Sequence, residues 1–249
     1  MLERALGLRA GGRGEPELGR AVCQSISDEA FPGFLESFLK GRPSRDGNAI
    51  PWLTFPAIAF LDRLPLQGKT VLEVGAGSST IYWAQRGVTG CTIEANEDWA
   101  VQIRRELNDV GQSETIGVMS VSSVVRAKST GTHLTTRELE AIRSLERLDP
   151  DHCLESYLLD DFVALLLESL DNCDLLVIDG VLRNLTAVLA ASRRPSRLKW
   201  IIFDNSDREM YTFGRVALSE AGWLEIPFVG LSPGNPGHST TSIFLPAAV

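Results

Sequence analysis

The chain of 249 residues is poor in the groups that build metal-rich, secreted or nucleic-acid-binding proteins. Its four cysteines are Cys23, Cys91, Cys153 and Cys173, and no two form a Cys-x-x-Cys pair. That spacing excludes a disulfide framework and a zinc ribbon. Cys91 and Cys173 fall in apolar runs and read as core thiols. No run reaches the roughly 18 apolar residues of a membrane helix. The N-terminal stretch MLERALGLRAGGRGEPELG has no apolar signal region, so the expected compartment is the cytoplasm. Positive charge is also scarce: 24 Lys and Arg against 32 Asp and Glu leave a net −8. That balance argues against a dominant grip on nucleic acid or an anionic membrane. What is present is 44% hydrophobic residues, enough for one sizeable core.

Residues 1–50 read as an N-terminal helical arm, with a helix over 27–41 that Ser27 caps and Gly41 stops. TFPAIAFLDRLP (54–65) reads as a further helix with Pro56 in its first turn. From 70 onward, strand and helix patterns alternate. TVLEVGA, GCTIEA and TIGVMSV read as strands, separated by SSTIYWAQRG and the amphipathic helix NEDWAVQIRRELNDVG. In that second helix Trp99, Val101, Ile103 and Leu107 are the residues available to a buried face. The rhythm breaks at about 122–155, which reads as an insertion with one capping-box helix start at Thr135 and Glu138. It resumes with YLLDDFVALLLESL, DLLVID, VLRNLTAVLAAS, KWIIFDN and REMYTFGRVALSEAG. WLEIPFVGL and STTSIFLP follow, joined by SPGNPGH with no crossover helix, so they should be antiparallel. The pattern predicts a doubly wound, mostly parallel α/β sheet preceded by helices, spanning 51–249.

The stretch VLEVGAGSST raises the functional question. A strand that runs through Gly75 and Gly77 into a helix brings backbone N–H groups to a ligand and lets it approach closely. Ser79 and Thr80 can cap that helix or donate to a carboxylate. Glu94 ends the second strand, 17 residues after Gly77, where an acid can accept both ribose hydroxyls of a nucleotide. A dinucleotide fingerprint would place a third glycine where Thr80 stands.

The run E-V-G-A-G-S-S-T, from Glu73 to Thr80, resembles motif I of the class I S-adenosylmethionine-dependent methyltransferases. The resemblance extends over about 50–246 and implies a seven-stranded sheet of order 3-2-1-4-5-7-6 with an antiparallel C-terminal strand. It implies S-adenosyl-L-methionine as cofactor, its methionine part on Gly75 and Gly77 and its ribose on Glu94. Glu73 would then act through the loop or a bridging water. Asp179 ends the fourth strand and Asp204-Asn205 the fifth. Two carboxylates and an amide oxygen there form a hard oxygen set of the kind Mg2+ accepts. The arrangement is similar to that of the catechol and caffeoyl-CoA O-methyltransferases, which implies Asp179, Asp204 and Asn205 as metal ligands. Those families carry a lysine base three residues after the strand-four Asp; here that position is Leu182, followed by Arg183. A metal-free enzyme in which Asp179 positions the acceptor stays open beside the metal-assisted one. So does a plain capping role for Asp204 and Asn205.

Further candidates are Trp52 and Thr54, placed to fold over a cofactor, and Ser122 at the end of the third strand, where the family contacts adenine. His238 is one of only three histidines, a side-chain type suited to moving a proton near neutral pH. Arg183 can bind an acidic acceptor or pair with an acid nearby. The expected function is methyl transfer to a small-molecule acceptor, with no nucleic-acid or membrane partner and a homodimer as one arrangement the arm allows. The competing readings are a binding scaffold that keeps the fold without turnover, and an NAD-dependent oxidoreductase.

Overall fold

The computed structural model describes residues 30–121, 135–138, 140–141 and 156–247. Ser27, Ser122 and most of the insertion lie outside them. Helix α1 (Phe31–Lys40) stops where Gly41 turns left-handed at φ 66. A two-stranded ribbon follows, pairing Ser44–Arg45 with Asn48–Ala49. Helix α2 (Phe55–Leu61) has Pro56 in its first turn, as expected, but ends four residues before the run predicted for it. Leu64 precedes Pro65, and a residue before proline is pushed out of the helical region.

The strands β1 (Thr70–Val74), β2 (Thr89–Glu94), β3 (Ile116–Ser120), β4 (Leu175–Ile178), β5 (Trp200–Phe203), β6 (Trp223–Ser232) and β7 (Asn235–Pro246) form one sheet. Its order is β3-β2-β1-β4-β5-β7-β6. The first five strands are parallel, and β7 is antiparallel to both β5 and β6. This is the order that the resemblance implied. The helices are α3 (Ser78–Gln85), α4 (Glu97–Asp109), α5 (Ser156–Leu170), α6 (Arg183–Arg193) and α7 (Thr212–Glu220).

Strand side chains alternate between faces, so each strand feeds two cores. Val71, Leu175, Val177 and Ile202 pack on one face with Trp83, Ile103 and Leu107, together with Phe34 of α1 and Ile50. Leu72, Val74, Leu176, Ile178 and Phe203 pack on the other with Phe162, Leu166, Leu185 and Tyr211. The chain from residue 30 thus shares its core with the sheet. Among the described residues, no helix is long and apolar enough to cross a membrane.

Three local expectations are revised or met. The buried face of α4 is Ala100, Ile103 and Leu107, while Trp99 and Val101 are 41% and 42% exposed. A spacing of three and four residues follows the helical turn, and Val101 falls off that stripe. The C-terminal hairpin turns on Pro233-Gly234 alone, with Ser232 paired to Asn235, so the strands run further than SPGNPGH suggested. Proline before a glycine at φ 68 meets the demands of a type II turn. In the insertion, Thr135 and Glu138 do form the predicted capping box: the Thr135 N–H donates to Glu138 and the Glu138 N–H to the Thr135 hydroxyl.

Candidate active site

The carboxyl ends of β1, β2 and β4 open on a cleft of about 180 Å³ lined by Gly75, Ile93, Glu94, Ala95, Asp179, Gly180 and their neighbours. Parallel sheets of this kind bind ligands at this edge. The Glu94 carboxylate holds the loop across the cleft. One oxygen accepts the Ala76 backbone N–H at 2.9 Å and the other accepts the Asn96 N–H at 2.8 Å. A carboxylate has about four lone-pair sites, so each oxygen keeps one for a further donor.

The two loop glycines serve different ends. Gly75 has φ +95, and a Cβ there would meet the Gly180 Cα at 2.7 Å. Its smallness lets the β1 loop lie against the β4 loop. Gly77 has extended backbone at φ 176, open to any residue. Among the described residues, a Cβ on Gly77 would meet nothing nearer than the Ser79 hydroxyl at 4.0 Å. The described residues therefore leave the space beside Gly77 open.

Glu73 is fully buried on the α3 face of β1. Its Oε2 accepts the Thr80 hydroxyl at 2.6 Å and the Thr92 hydroxyl at 2.8 Å, and its Oε1 accepts the Trp83 indole N–H at 3.0 Å. Burial pushes Glu73 above the usual carboxylate range, while these donors and the Ser79 hydroxyl pull it back. The Thr80 hydroxyl also accepts the Gly77 N–H at 3.0 Å. Thr80 and Ser79 thus turn inward, and direct cofactor contact gives way to a supporting role for both. This explains the missing third glycine: the helix is tied to β1 by the Thr80–Glu73 bond instead of by close backbone approach. Glu73 shapes the loop from beneath, without facing the cleft.

At the ends of β4 and β5, Asp179 and Asp204 stand as neighbours, because the strand residues before them, Ile178 and Phe203, are paired. Burial and the neighbouring Asp204 push Asp179 well above the usual carboxylate range, against the opposing pull of Arg183. Burial likewise raises Asp204, with Arg183 and the Thr241 hydroxyl opposing. Asp204 Oδ1 accepts the Thr241 hydroxyl at 2.6 Å, and that hydroxyl accepts the Thr54 N–H at 3.0 Å. The Thr54 hydroxyl donates to the Phe228 carbonyl at 2.9 Å. Thr54 is completely buried and pins α2 to the C-terminal hairpin, so it does not cover the cleft. Neither Asp204 nor Asn205 caps a helix: the short turn Glu209–Tyr211 is capped from Arg208 with no side-chain bond.

Arg183 lies among the oxygens expected to hold a metal. Arg183 bonds the Asp179 carboxylate at 3.0 Å and the Asn205 amide oxygen at 3.3 Å, occupying the oxygens assigned to the ion. With its donors taken up internally, Arg183 is not free for an acidic acceptor either. Trp52, at 52% exposure, and His238, exposed on β7, are absent from the cleft wall. Ser78 lines a separate hollow with Arg42 and Glu106.

Two site residues were not foreseen. Gly180 backs onto Gly75, and its only signal was its place after Asp179. Trp99 donates its indole N–H to the Ala76 carbonyl at 2.7 Å, clamping the loop opposite Glu94. Its helical spacing carried no hint of this.

No protein-family model matches the chain, and no curated protein is significantly similar to it. Similar solved structures include an O-methyltransferase from Bacillus cereus in complex with SAH, at 15% identity, covering 93% of this chain and 97% of that one, with a TM-score of 0.45. A precorrin-6y C5,15-methyltransferase from Geobacter metallireducens is 14% identical, with coverages of 80% and 93% and a TM-score of 0.47. A methyltransferase from Pyrococcus furiosus is 11% identical, with coverages of 88% and 96% and a TM-score of 0.45. Likeness of this degree decides nothing about function; the residues of the cleft must do so.

Proposed function

We propose that the chain is an S-adenosyl-L-methionine-dependent methyltransferase acting on a small-molecule acceptor. The observation that carries this is the Glu94 carboxylate, set at the end of β2 and bonded to the Ala76 N–H of the glycine loop, with lone pairs to spare. The residues present suit the cofactor. Glu94 would take the ribose hydroxyls, and the open space beside Gly77 would take the methionine part. Bound there, the cofactor supplies a sulfonium methyl group for transfer to a nucleophile.

The chain's own groups have three tasks. Glu94, Ala76 and Trp99 fix the loop. Glu73 and Thr80 hold α3 beneath it. Asp179, whose carboxyl borders the cleft, would accept a hydrogen bond from the acceptor and orient it. The net charge of −8 favours a small acceptor over a polyanion.

The reading is tested by calorimetric titration of the full chain with S-adenosylmethionine and S-adenosylhomocysteine, with NAD as control. Micromolar binding of the first two, with none of NAD, is the expected result. Binding of NAD alone, or of none of the three by ligand-free protein, overturns it.

A further inference from the structure

Arg183 opens α6 and is only 8% exposed. A guanidinium has five N–H donors in a fixed planar fork, and this one has five oxygen acceptors. Nε donates to the Gly180 carbonyl at 3.0 Å. Nη1 donates to the Asp204 carbonyl at 2.7 Å and to Asn205 Oδ1 at 3.3 Å. Nη2 donates to the Asp179 carbonyl at 2.9 Å and pairs with Asp179 Oδ1 at 3.0 Å. The guanidinium carbon also sits 4.9 Å from the centre of the Tyr211 ring. The residue before it, Leu182, is buried and left-handed at φ 53, a conformation that leucine rarely takes. Asn205, at φ 54, is left-handed as well. Two unusual backbone positions thus flank the contacts of one side chain.

We propose that Arg183 is the resident cation of the strand-end cluster: its guanidinium holds the oxygens a divalent ion would need, and the cluster turns divalent metal away. A hard cation needs several oxygens converging on one point at about 2.0–2.6 Å. Here Asp179 Oδ1 and Asn205 Oδ1 are directed at different nitrogens of one planar group, and Asp204 Oδ1 accepts from Thr241. The guanidinium also sets a positive charge against the Asp179 carboxylate and beside Asp204, which repels a dication. Arg183 acts as a positioning residue, joining the β4 and β5 ends at the cleft wall. None of its five acceptors is Glu94, so the inference stands or falls independently of the cofactor reading.

The test is Mn2+ binding to the full chain, followed by electron paramagnetic resonance and checked by Mg2+ competition. The wild-type chain is expected to show no saturable binding below about 1 mM. Arg183→Ala, shown to be folded by circular dichroism, is expected to gain about one Mn2+ per chain, lost again on adding Asp179→Asn. Arg183→Lys keeps a cation in place and should still exclude the ion, which a merely structural role would not predict. A wild-type chain that binds Mn2+ and loses it on Asp179→Asn overturns the proposal. A folded Arg183→Ala chain that binds none overturns it too. Should Arg183→Ala fail to fold, the wild-type and Arg183→Lys titrations decide.

Discussion

The Glu94 carboxylate reaches back over the glycine loop to accept the Ala76 N–H at 2.9 Å. One side chain therefore both shapes the loop and presents the acceptor oxygens of the cleft. Glu94→Ala should weaken S-adenosylmethionine binding by at least about 100-fold, from two lost charge-assisted hydrogen bonds of about 1.5 kcal/mol or more each. The fold should survive, because the freed N–H groups lie where water can reach them. Calorimetry and thermal melts of the same sample separate the two effects. Unchanged affinity would remove Glu94 from the site.

Gly75 and Gly77 should respond to alanine in opposite ways. Gly75→Ala drives a Cβ into the Gly180 backbone from a left-handed position, and should cost about 2 kcal/mol or more in urea denaturation. Gly77→Ala meets open space in extended backbone, so its stability should change by less than about 1 kcal/mol. Its methyl would occupy the cofactor's space, and affinity should fall. If Gly77→Ala binds as well as wild type, the cofactor does not lie against that position.

Glu73 anchors α3 to β1 from inside the core. Glu73→Ala orphans the donors of Thr80, Thr92 and Trp83 and leaves a cavity, at a cost of about 3 kcal/mol or more. Glu73→Gln keeps the volume and an acceptor oxygen, and should cost about half as much. Chemical denaturation checks both. Equal stability of Glu73→Ala and wild type would show that the anchor contributes nothing.

The Asp179 and Asp204 pair sets a pH dependence. Their folded affinities for protons are raised, so the folded chain keeps protons that the unfolded chain releases. Stability is then greatest at low pH and falls as pH rises above the ordinary carboxylate range. Thermal melts should show a lower Tm at about pH 8 than at about pH 5. Asp179→Asn removes one titrating group while keeping an oxygen for Arg183, and should flatten that slope. A slope unchanged in Asp179→Asn would place the titration elsewhere; Glu73, raised by burial, is the next candidate.

Much of this architecture was legible in advance because it follows from local repetition. Apolar strands of four to six residues between amphipathic helices prescribe a parallel sheet with two covered faces, and the absence of a helix between the last two strands prescribes the hairpin. The acids Asp179 and Asp204 at strand ends were visible because each directly follows a run of apolar residues. The roles of Ser79, Thr80 and Thr54 were not legible. A hydroxyl in a turn suits a cap, a ligand or a buried carboxylate equally well, and the rotation of α3 over Glu73 and the docking of Thr54 on Thr241 chose between them.

The amino-acid order by itself determined the alternation, the sheet edge on which Gly75, Gly77, Glu94, Asp179 and Asp204 meet, and the acidity of the surface. Tertiary structure alone decided what those residues meet there. Arg183 is 21 residues from Asp204 in sequence, yet donates to its carbonyl at 2.7 Å. Gly75 is pressed against Gly180 from a different strand end. Both follow from the adjacency of parallel strands that are distant in sequence, and from backbone turns at Leu182 and Asn205 that no periodicity encodes. Hydrogen bonds depend on direction as well as distance, and direction is fixed only when the elements have packed.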